Sequence, residues 1–228
     1  MKNKTLLLWF LAFLPLLVTI VVLPMLPDQI PAHYDSNGIV DRWGSKYESL
    51  IVPIITIVII SVLLFIGEFI KRQKDISESN EKVLDVVKLV VVIVFNGLTY
   101  WFLYTAFTQV EDLNQSKLDA LGIFSVLLSI SFVFLGNILP KCKQNMLIGI
   151  RTKWTLQNEE VWYKTHRVGG FVLFTLGILL TGLSLTVVKG WSSMFVVLGS
   201  FLLVAIVITV YSFVIFQKYQ GIEGAKRR

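Results

Sequence analysis

Apolar residues run along this chain in six long stretches, at roughly residues 5–26, 49–70, 86–108, 118–139, 168–188 and 192–216, parted by polar segments. A helix needs about 20 mostly apolar residues to cross the hydrocarbon core of a bilayer, and each stretch reaches that length. The pattern predicts an all-α integral membrane protein with six transmembrane helices and no room for a separate soluble domain. The first stretch follows Met1-Lys2-Asn3-Lys4, as the core of a secretory signal would. Its apolar core is longer than the about 7–15 residues of such a signal and ends in Leu23-Pro24-Met25-Leu26-Pro27, with no small-residue cleavage site. It reads as an uncleaved first span.

Composition supports a bilayer setting: 55% of the residues are hydrophobic and 16% charged, with a mean hydropathy of +0.72. Cationic residues then set the orientation, because short loops rich in Lys and Arg stay in the cytoplasm. With the N-terminus inside, every one of the 21 Lys and Arg residues except Arg42, Lys46, Lys117 and Lys189 falls on the cytoplasmic side, and both termini are cytoplasmic. The net charge of +6 is thereby accounted for by topology and by attraction to anionic membrane lipids. No nucleic-acid role is needed. Cys142 stands alone, so neither an intramolecular disulfide nor a Cys-based metal site is expected.

Two connecting segments exceed the about 12–15 residues beyond which loops are usually functional or disordered: an external one at 27–48 and a cytoplasmic one at 140–167. In the first, Pro27 and Pro31 stiffen an extended entry, and Ser36-Asn37-Gly38 is a turn signal because Asn and Gly tolerate positive φ. Ile30, His33 and Tyr34 are expected to pair with Ile39, Val40 and Trp43, giving a small external cap of two short strands between helices 1 and 2. In the second, residues 140–154 are basic and irregular, while Thr155 to His166 reads as a helix capped by Thr155 or Asn158, with Glu159 and Glu160 at its positive end. Lys164, His166 and Arg167 would lie near its far end or in the headgroup zone, and Trp154 and Trp162 in the interfacial aromatic belt. Segment 70–85 reads as a simple charged connector. The chain thus divides into a two-span unit (1–70), a connector with the third span (71–115), and a unit holding spans four to six and the long cytoplasmic loop (116–228).

Candidate chemistry is sparse. His33, Asp35 and Asp41 form a workable metal-ligand set by type, but their spacing matches no established motif, and hydrogen bonding of a turn accounts for them better. The sequence has no G-x-S-x-G, H-E-x-x-H or P-loop, and no carboxylate pair inside a span. No enzyme and no cofactor is expected. The centres of the six stretches lack Asp, Glu, Lys, Arg and His, with Glu68, Asp85 and Lys88 close to cytoplasmic ends, which argues against an ion-coupled carrier. Asn96, Tyr100 and Asn137 are the notable polar residues left in the spans and read as interhelical hydrogen bonders. In the cytoplasmic loop, Arg151, Trp154, Glu160, Trp162 and Arg167 cluster most densely. Arg151 could pair with Glu160 while the Trp rings pack the loop onto helix ends; the alternative is a solvated positive loop. Gly149, Gly169 and Gly170 favour a specifically folded loop, since solvation does not require them.

The stretch 136–170 resembles the core motif of the SdpI immunity-protein family of bacterial membrane proteins. The resemblance is carried by Gly136-Asn137, Leu139-Pro140-Lys141, Asn145, Gly149-Ile150-Arg151-Thr152, Trp154-Thr155-Leu156 and Glu160-Val161-Trp162, and the polar stretch runs on through His166 and Arg167 to Gly169-Gly170. The first half, with Pro27, Pro31, His33, Gly38, Asp41, Ser45 and Lys46, resembles the domain of unknown function that often precedes that motif. The resemblance implies a six-span protein of the bacterial plasma membrane that protects against a secreted membrane-active toxin of the sporulation-delaying type. It implies further that a cytoplasmic transcriptional repressor is captured at the membrane. The alternatives from the residues are a small-molecule or lipid transporter or channel-like protein, with loop 140–167 as its gate, and, third, a membrane-bound enzyme on lipid or cell-wall intermediates.

Overall fold

In a computed structural model the structure describes residues 2–72, 78–116 and 119–226. Lys74, Lys117, Arg227 and Arg228, which enter the charge argument above, lie outside the described residues, as does Leu118 at the expected start of span four. The chain forms helix α1 (Lys2–Val22), strands β1 (Gln29–Tyr34) and β2 (Val40–Ser45), and helices α2 (Ile51–Arg72), α3 (Glu78–Thr108), α4 (Ala120–Ile138), α5 (Lys153–Gln157), α6 (Glu159–Thr186) and α7 (Gly190–Lys226). Among the described residues six segments are long and apolar enough to cross a membrane: Asn3–Met25, Lys46–Phe69, Glu78–Thr108, Ala120–Lys141, Glu159–Thr186 and Gly190–Gln220. The chain is a multi-pass membrane protein.

Two ends of the bundle can be distinguished by contact. The β1–β2 hairpin packs against the α3–α4 connection, where the Leu113 N–H donates to the Gly38 carbonyl at 2.9 Å, and against the start of α7, where Trp191 lies beside Gly38; the Gly190 N–H there donates to Asp119 at the start of α4, at 3.1 Å. At the opposite end, the start of α1 meets α3 through Lys4 and Asp85, 3.6 Å apart, and the start of α3 meets the segment after α4. Consecutive spans therefore alternate in direction, as six spans require.

Helices α1, α2 and α3 share a core of Leu8, Ala12, Ile60 and Val92, whereas Phe132, Leu173, Leu180 and Val197 join α4, α6 and α7. Without a hydrophobic drive between helices in lipid, close backbone approach at small residues supplies the packing. On α4 and α6 this is visible at glycine: a Cβ on Gly136 would lie 2.8 Å from the Gly170 carbonyl oxygen, and one on Gly177 2.7 Å from the Val133 nitrogen. Polar links add to it, with the Ser125 and Ser193 hydroxyls 2.8 Å apart between α4 and α7.

Helix α1 contains Pro15, which has no N–H to give to the carbonyl four residues back, that of Leu11. Asn96 of α3 supplies the missing donor, its Nδ2 lying 3.0 Å from the Leu11 carbonyl and 2.6 Å from that of Val92. The expected interhelical role of Asn96 holds, and it repairs a defect in a neighbouring helix. Tyr100, by contrast, is 40% exposed and turns outward.

Candidate functional site: a folded loop between α4 and α6

Helix α4 runs out through a single 3₁₀ turn, Leu139–Lys141, whose Pro140 ring fills the space over Gly170 of α6. Beyond it the backbone is held by amide side chains. Asn145 Oδ1 accepts the N–H groups of Leu147 (2.7 Å) and Ile148 (2.8 Å), while its Nδ2 donates to the carbonyls of Lys143 (2.8 Å) and Ile148 (3.1 Å). Asn80, 2% exposed on the first turns of α3, grips the Lys143 peptide from the other side, accepting its N–H at 2.8 Å and donating to its carbonyl at 3.2 Å. The Ser79 hydroxyl donates to the Lys141 carbonyl. Residues 78–85 of the expected connector are thus more than a link: α3 includes them, ahead of the expected 86, and its first turns clamp the loop.

The centre of the loop is a stack of rings under a glycine. Trp162 is 1% exposed and donates its Nε1–H to the Cys142 carbonyl at 2.8 Å. His166, fully buried one turn on, lies against it with ring centroids 4.1 Å apart and planes 18° from parallel. The Ile150 N–H donates to His166 Nε2 at 2.9 Å, so Nδ1 carries the proton and donates to the Trp162 carbonyl, also at 2.9 Å. Both ring nitrogens are used, and the imidazole is neutral. Gly149 has φ +106°, and a Cβ there would run into His166 Nε2 and the Trp162 ring. Cys142 is packed with Trp162 and Val83, and burial pushes its thiol up to about 11.

A capping box starts α5: the Thr152 hydroxyl accepts from the Thr155 N–H (3.2 Å), and the Thr155 hydroxyl accepts from the Thr152 N–H (2.9 Å). The same Thr155 hydroxyl donates to the Ile150 carbonyl at 2.7 Å. This turn rests on α7, with Trp154 and Phe213 ring centroids 5.0 Å apart and the Thr152 and Ser212 hydroxyls 3.2 Å apart. Asn158 then caps α6 through the Val161 N–H at 3.0 Å, and Glu159 and Glu160 occupy the first turn.

Several expectations are corrected here. The helix expected over Thr155 to His166 is split: α5 is a single short turn, and α6 runs unbroken from Glu159 into the fifth span behind Asn158, one of the two expected caps. Thr155 is the third residue of its helix and Thr152 the cap. Trp162 and His166 are buried in the core of the folded loop, where the irregular backbone uses their polar atoms. Trp154 is half-buried against α7, and Lys164 Nζ sits 4.9 Å from the Tyr219 ring centre. Arg151 makes no ion pair with Glu160: both are exposed, and among the described residues neither takes part in a salt bridge. Asn137, Lys141 and Arg167 are exposed too. The motif therefore splits into a frame (Pro140, Asn145, Gly149, Thr152, Thr155, Trp162, His166, Gly170) and an outer set (Asn137, Lys141, Arg151, Glu160, Arg167), with Trp154 between.

At the other end of the molecule the two-stranded hairpin is present, but its register differs from the expected one. Tyr34 faces Val40, His33 faces Arg42, Pro31 faces Trp43 and Ile30 faces Gly44, with irregularities around His33, while Ile39 bridges to Asp112 in the α3–α4 connection. Pro31 has no N–H for the ladder, which accounts for the slip. Asp35 holds the turn by accepting from the N–H groups of Asn37 (2.8 Å) and Ile39 (2.9 Å), and these bonds keep its carboxyl below the ordinary range. Gly38 adopts φ +81° against Leu113 and Asn114. His33 Nδ1 and Asp41 Oδ1 are 2.6 Å apart on the surface. Lys46 reaches Asp28 next to Pro27 at 2.8 Å, and the Ser45 hydroxyl accepts from the Tyr47 N–H. Arg42 makes a two-pronged contact with Glu48 at 3.1 and 2.9 Å, beside Gly44. Asp35 is thus committed to the turn, and among the described residues no three His, Cys, Asp or Glu side chains converge as metal ligands would.

Sequence reasoning passed over Gln144, inside the loop, and Asn80, Ser79 and Ser212, which hold it from other elements. Gln144 donates to the carbonyls of Thr155 (2.8 Å) and Leu156 (3.0 Å). Ser79-Asn80, polar residues at the opening of an apolar helix, were the one readable signal.

Comparison with known proteins finds two matched regions. Residues 141–212 match the SdpI/YfhL protein family and residues 10–57 match a domain of unknown function, DUF1648. Along 93% of its length the chain is 24% identical to the immunity protein SdpI of Bacillus subtilis (strain 168), covering 94% of that protein. No solved structure matches. The chain is thus similar to the SdpI family over 141–212 and to DUF1648 ahead of it, so its resemblance to the SdpI immunity-protein family extends beyond the short motif.

Proposed function

We propose that this protein, a multi-pass relative of the SdpI immunity family, confers resistance to a secreted membrane-active toxin of the sporulation-delaying type in the bacterial plasma membrane. The observation that carries this reading is the similarity to an immunity protein along almost the whole chain, through both the hairpin and the loop. The loop end faces the cytoplasm, since Lys141, Lys143, Arg151, Lys153, Lys164 and Arg167 cluster there; the hairpin faces outward as a cap. Protection proceeds without catalysis or cofactor. The rigid loop presents Arg151, Trp154 and Glu160 as its working surface, either to a toxin peptide within the membrane or to a cytoplasmic repressor held when toxin is present.

Expression in a bacterium sensitive to such a toxin tests the proposal. Survival should rise with no added cofactor or ion gradient. Unchanged killing across a panel of toxins of this type, with the protein present in the membrane, would overturn it.

A further inference from the structure

At the loop end, between α1 and α3 and reaching Ile138 at the foot of α4, lies a groove of about 440 Å³. Its volume falls in the about 300–1,000 Å³ range of small-molecule sites. Leu7, Leu89 and Ile138 contribute to an apolar floor, and Lys4, Lys82 and Asp85 to its polar rim. Leu7 and Leu89 are 52% and 41% exposed, so the groove opens to the surroundings of the bundle. In a membrane those surroundings are hydrocarbon.

The rim sets Lys4 and Lys82 against one carboxylate, Asp85, while Glu68 and Glu81 join Lys4, Asp85 and Lys88 in the adjoining pocket. Asp85 sits 3.0 Å from Lys88, whose side chain is only 7% exposed, so the carboxylate is committed to balancing a buried ammonium. Lys4 and Lys82 are different. Their side chains are 77% and 71% exposed, and each has a surface carboxylate partner, Asp85 at 3.6 Å from Lys4 and Glu78, itself 89% exposed, at 3.9 Å from Lys82. Exposed pairs of this kind are worth about 0–1 kcal/mol, too little to hold either ammonium against a better anion. Both lysines can lay their methylene stems along the apolar floor and keep the charge at its edge.

We propose that this groove binds one acidic glycerophospholipid, with its phosphodiester at Lys4 and Lys82 and an acyl chain on Leu7, Leu89 and Ile138. A zwitterionic headgroup would bring its own cation against the two ammoniums, whereas an acidic headgroup does not. The lipid bridges the start of α1 to α3 one turn from Asn80, the residue that clamps the folded loop.

Native mass spectrometry of the purified full chain, titrated with phosphatidylglycerol or phosphatidylcholine of identical chains, tests the site. One phosphatidylglycerol should be retained at about tenfold lower concentration than phosphatidylcholine, a difference of about 1.4 kcal/mol. Lys82→Gln should weaken that retention, and Lys4→Gln with Lys82→Gln should bring it to the phosphatidylcholine level. Lys143→Gln, an exposed cation on the loop outside the groove, should leave it unchanged. Each variant is checked for a buried Cys142, which reports a folded loop. Equal retention of the two lipids, undiminished phosphatidylglycerol in the double variant, or displacement by soluble glycerol phosphate would each overturn the proposal.

Discussion

Asn96 on α3 donates its Nδ2 hydrogen to the Leu11 carbonyl of α1, 3.0 Å away, and that carbonyl lacks a helical donor because the residue four positions on is Pro15. An unpaired carbonyl at membrane depth is costly, so the two substitutions should be coupled. Asn96→Leu alone should destabilise the protein by about 0.6–2 kcal/mol. In a Pro15→Ala background, where residue 15 supplies the N–H itself, the same change should cost much less. Thermal unfolding of the four proteins in detergent reads the cycle; equal losses in both backgrounds would remove the link.

Glycines divide by what lies above them. Gly136→Ala would force a Cβ onto the backbone of α6, and Gly149→Ala would combine a φ of +106° with a collision at His166, so both should lower thermal stability and membrane yield. Gly182 and Gly199 have nothing within 4 Å of an added Cβ. Alanine at either should be neutral or stabilising by up to about 1 kcal/mol, the helix-propensity gain. A yield assay across the four variants checks the ranking.

Cys142 reports on the loop. Its thiol, ordinarily at 9.0, is pushed up to about 11 by burial, so the folded state holds the proton more tightly than the unfolded chain. The stability linked to this group is complete below pH 9 and is lost as pH rises towards 11. Maleimide labelling of intact membranes at pH 8 should be slow, and should become fast in denaturing detergent or in His166→Ala, which strips the Ile150 N–H of its acceptor.

The hairpin should respond in the opposite direction. Hydrogen bonds hold Asp35 and Asp112 below their ordinary carboxyl value of 3.8, and Lys46 does the same for Asp28. Depressed folded-state values give stability that is present above pH 3.8 and lost as pH falls through the folded values. Amide exchange in residues 29–45 should therefore accelerate below about pH 3.8, and Asp35→Asn should blunt that acid response.

Much of this could be read from the chain. The six spans follow from length and hydropathy, the hairpin from Asn37-Gly38, and the folded nature of the loop from Gly149 and Gly170. What stayed hidden has a common cause: the partners are backbone atoms. Asn96 was legible as an interhelical donor, but its acceptor is the carbonyl released by Pro15, found only by counting four residues back. His166 and Trp162 look like headgroup residues by type, yet an irregular buried backbone needs their ring nitrogens. Asn80 grips the Lys143 peptide across 63 positions, a separation no local pattern encodes. Arg151 and Glu160 suggested an ion pair by charge, whereas the α5 turn between them leaves both pointing outward.

Whether the folded loop offers the Arg151 side chain as a protective surface is read directly by survival under toxin together with Cys142 labelling. Arg151→Lys keeps the charge but loses the planar fork, and Lys143→Ala removes one of several interchangeable cations. A protective surface at Arg151 requires that Arg151→Lys and Trp154→Ala each lower survival by about tenfold or more, the scale of losing one contact of about 1.4 kcal/mol, with Cys142 still shielded and membrane abundance unchanged, while Lys143→Ala protects like the parent. Full protection by Arg151→Lys and Trp154→Ala, with the loop folded, would contradict it.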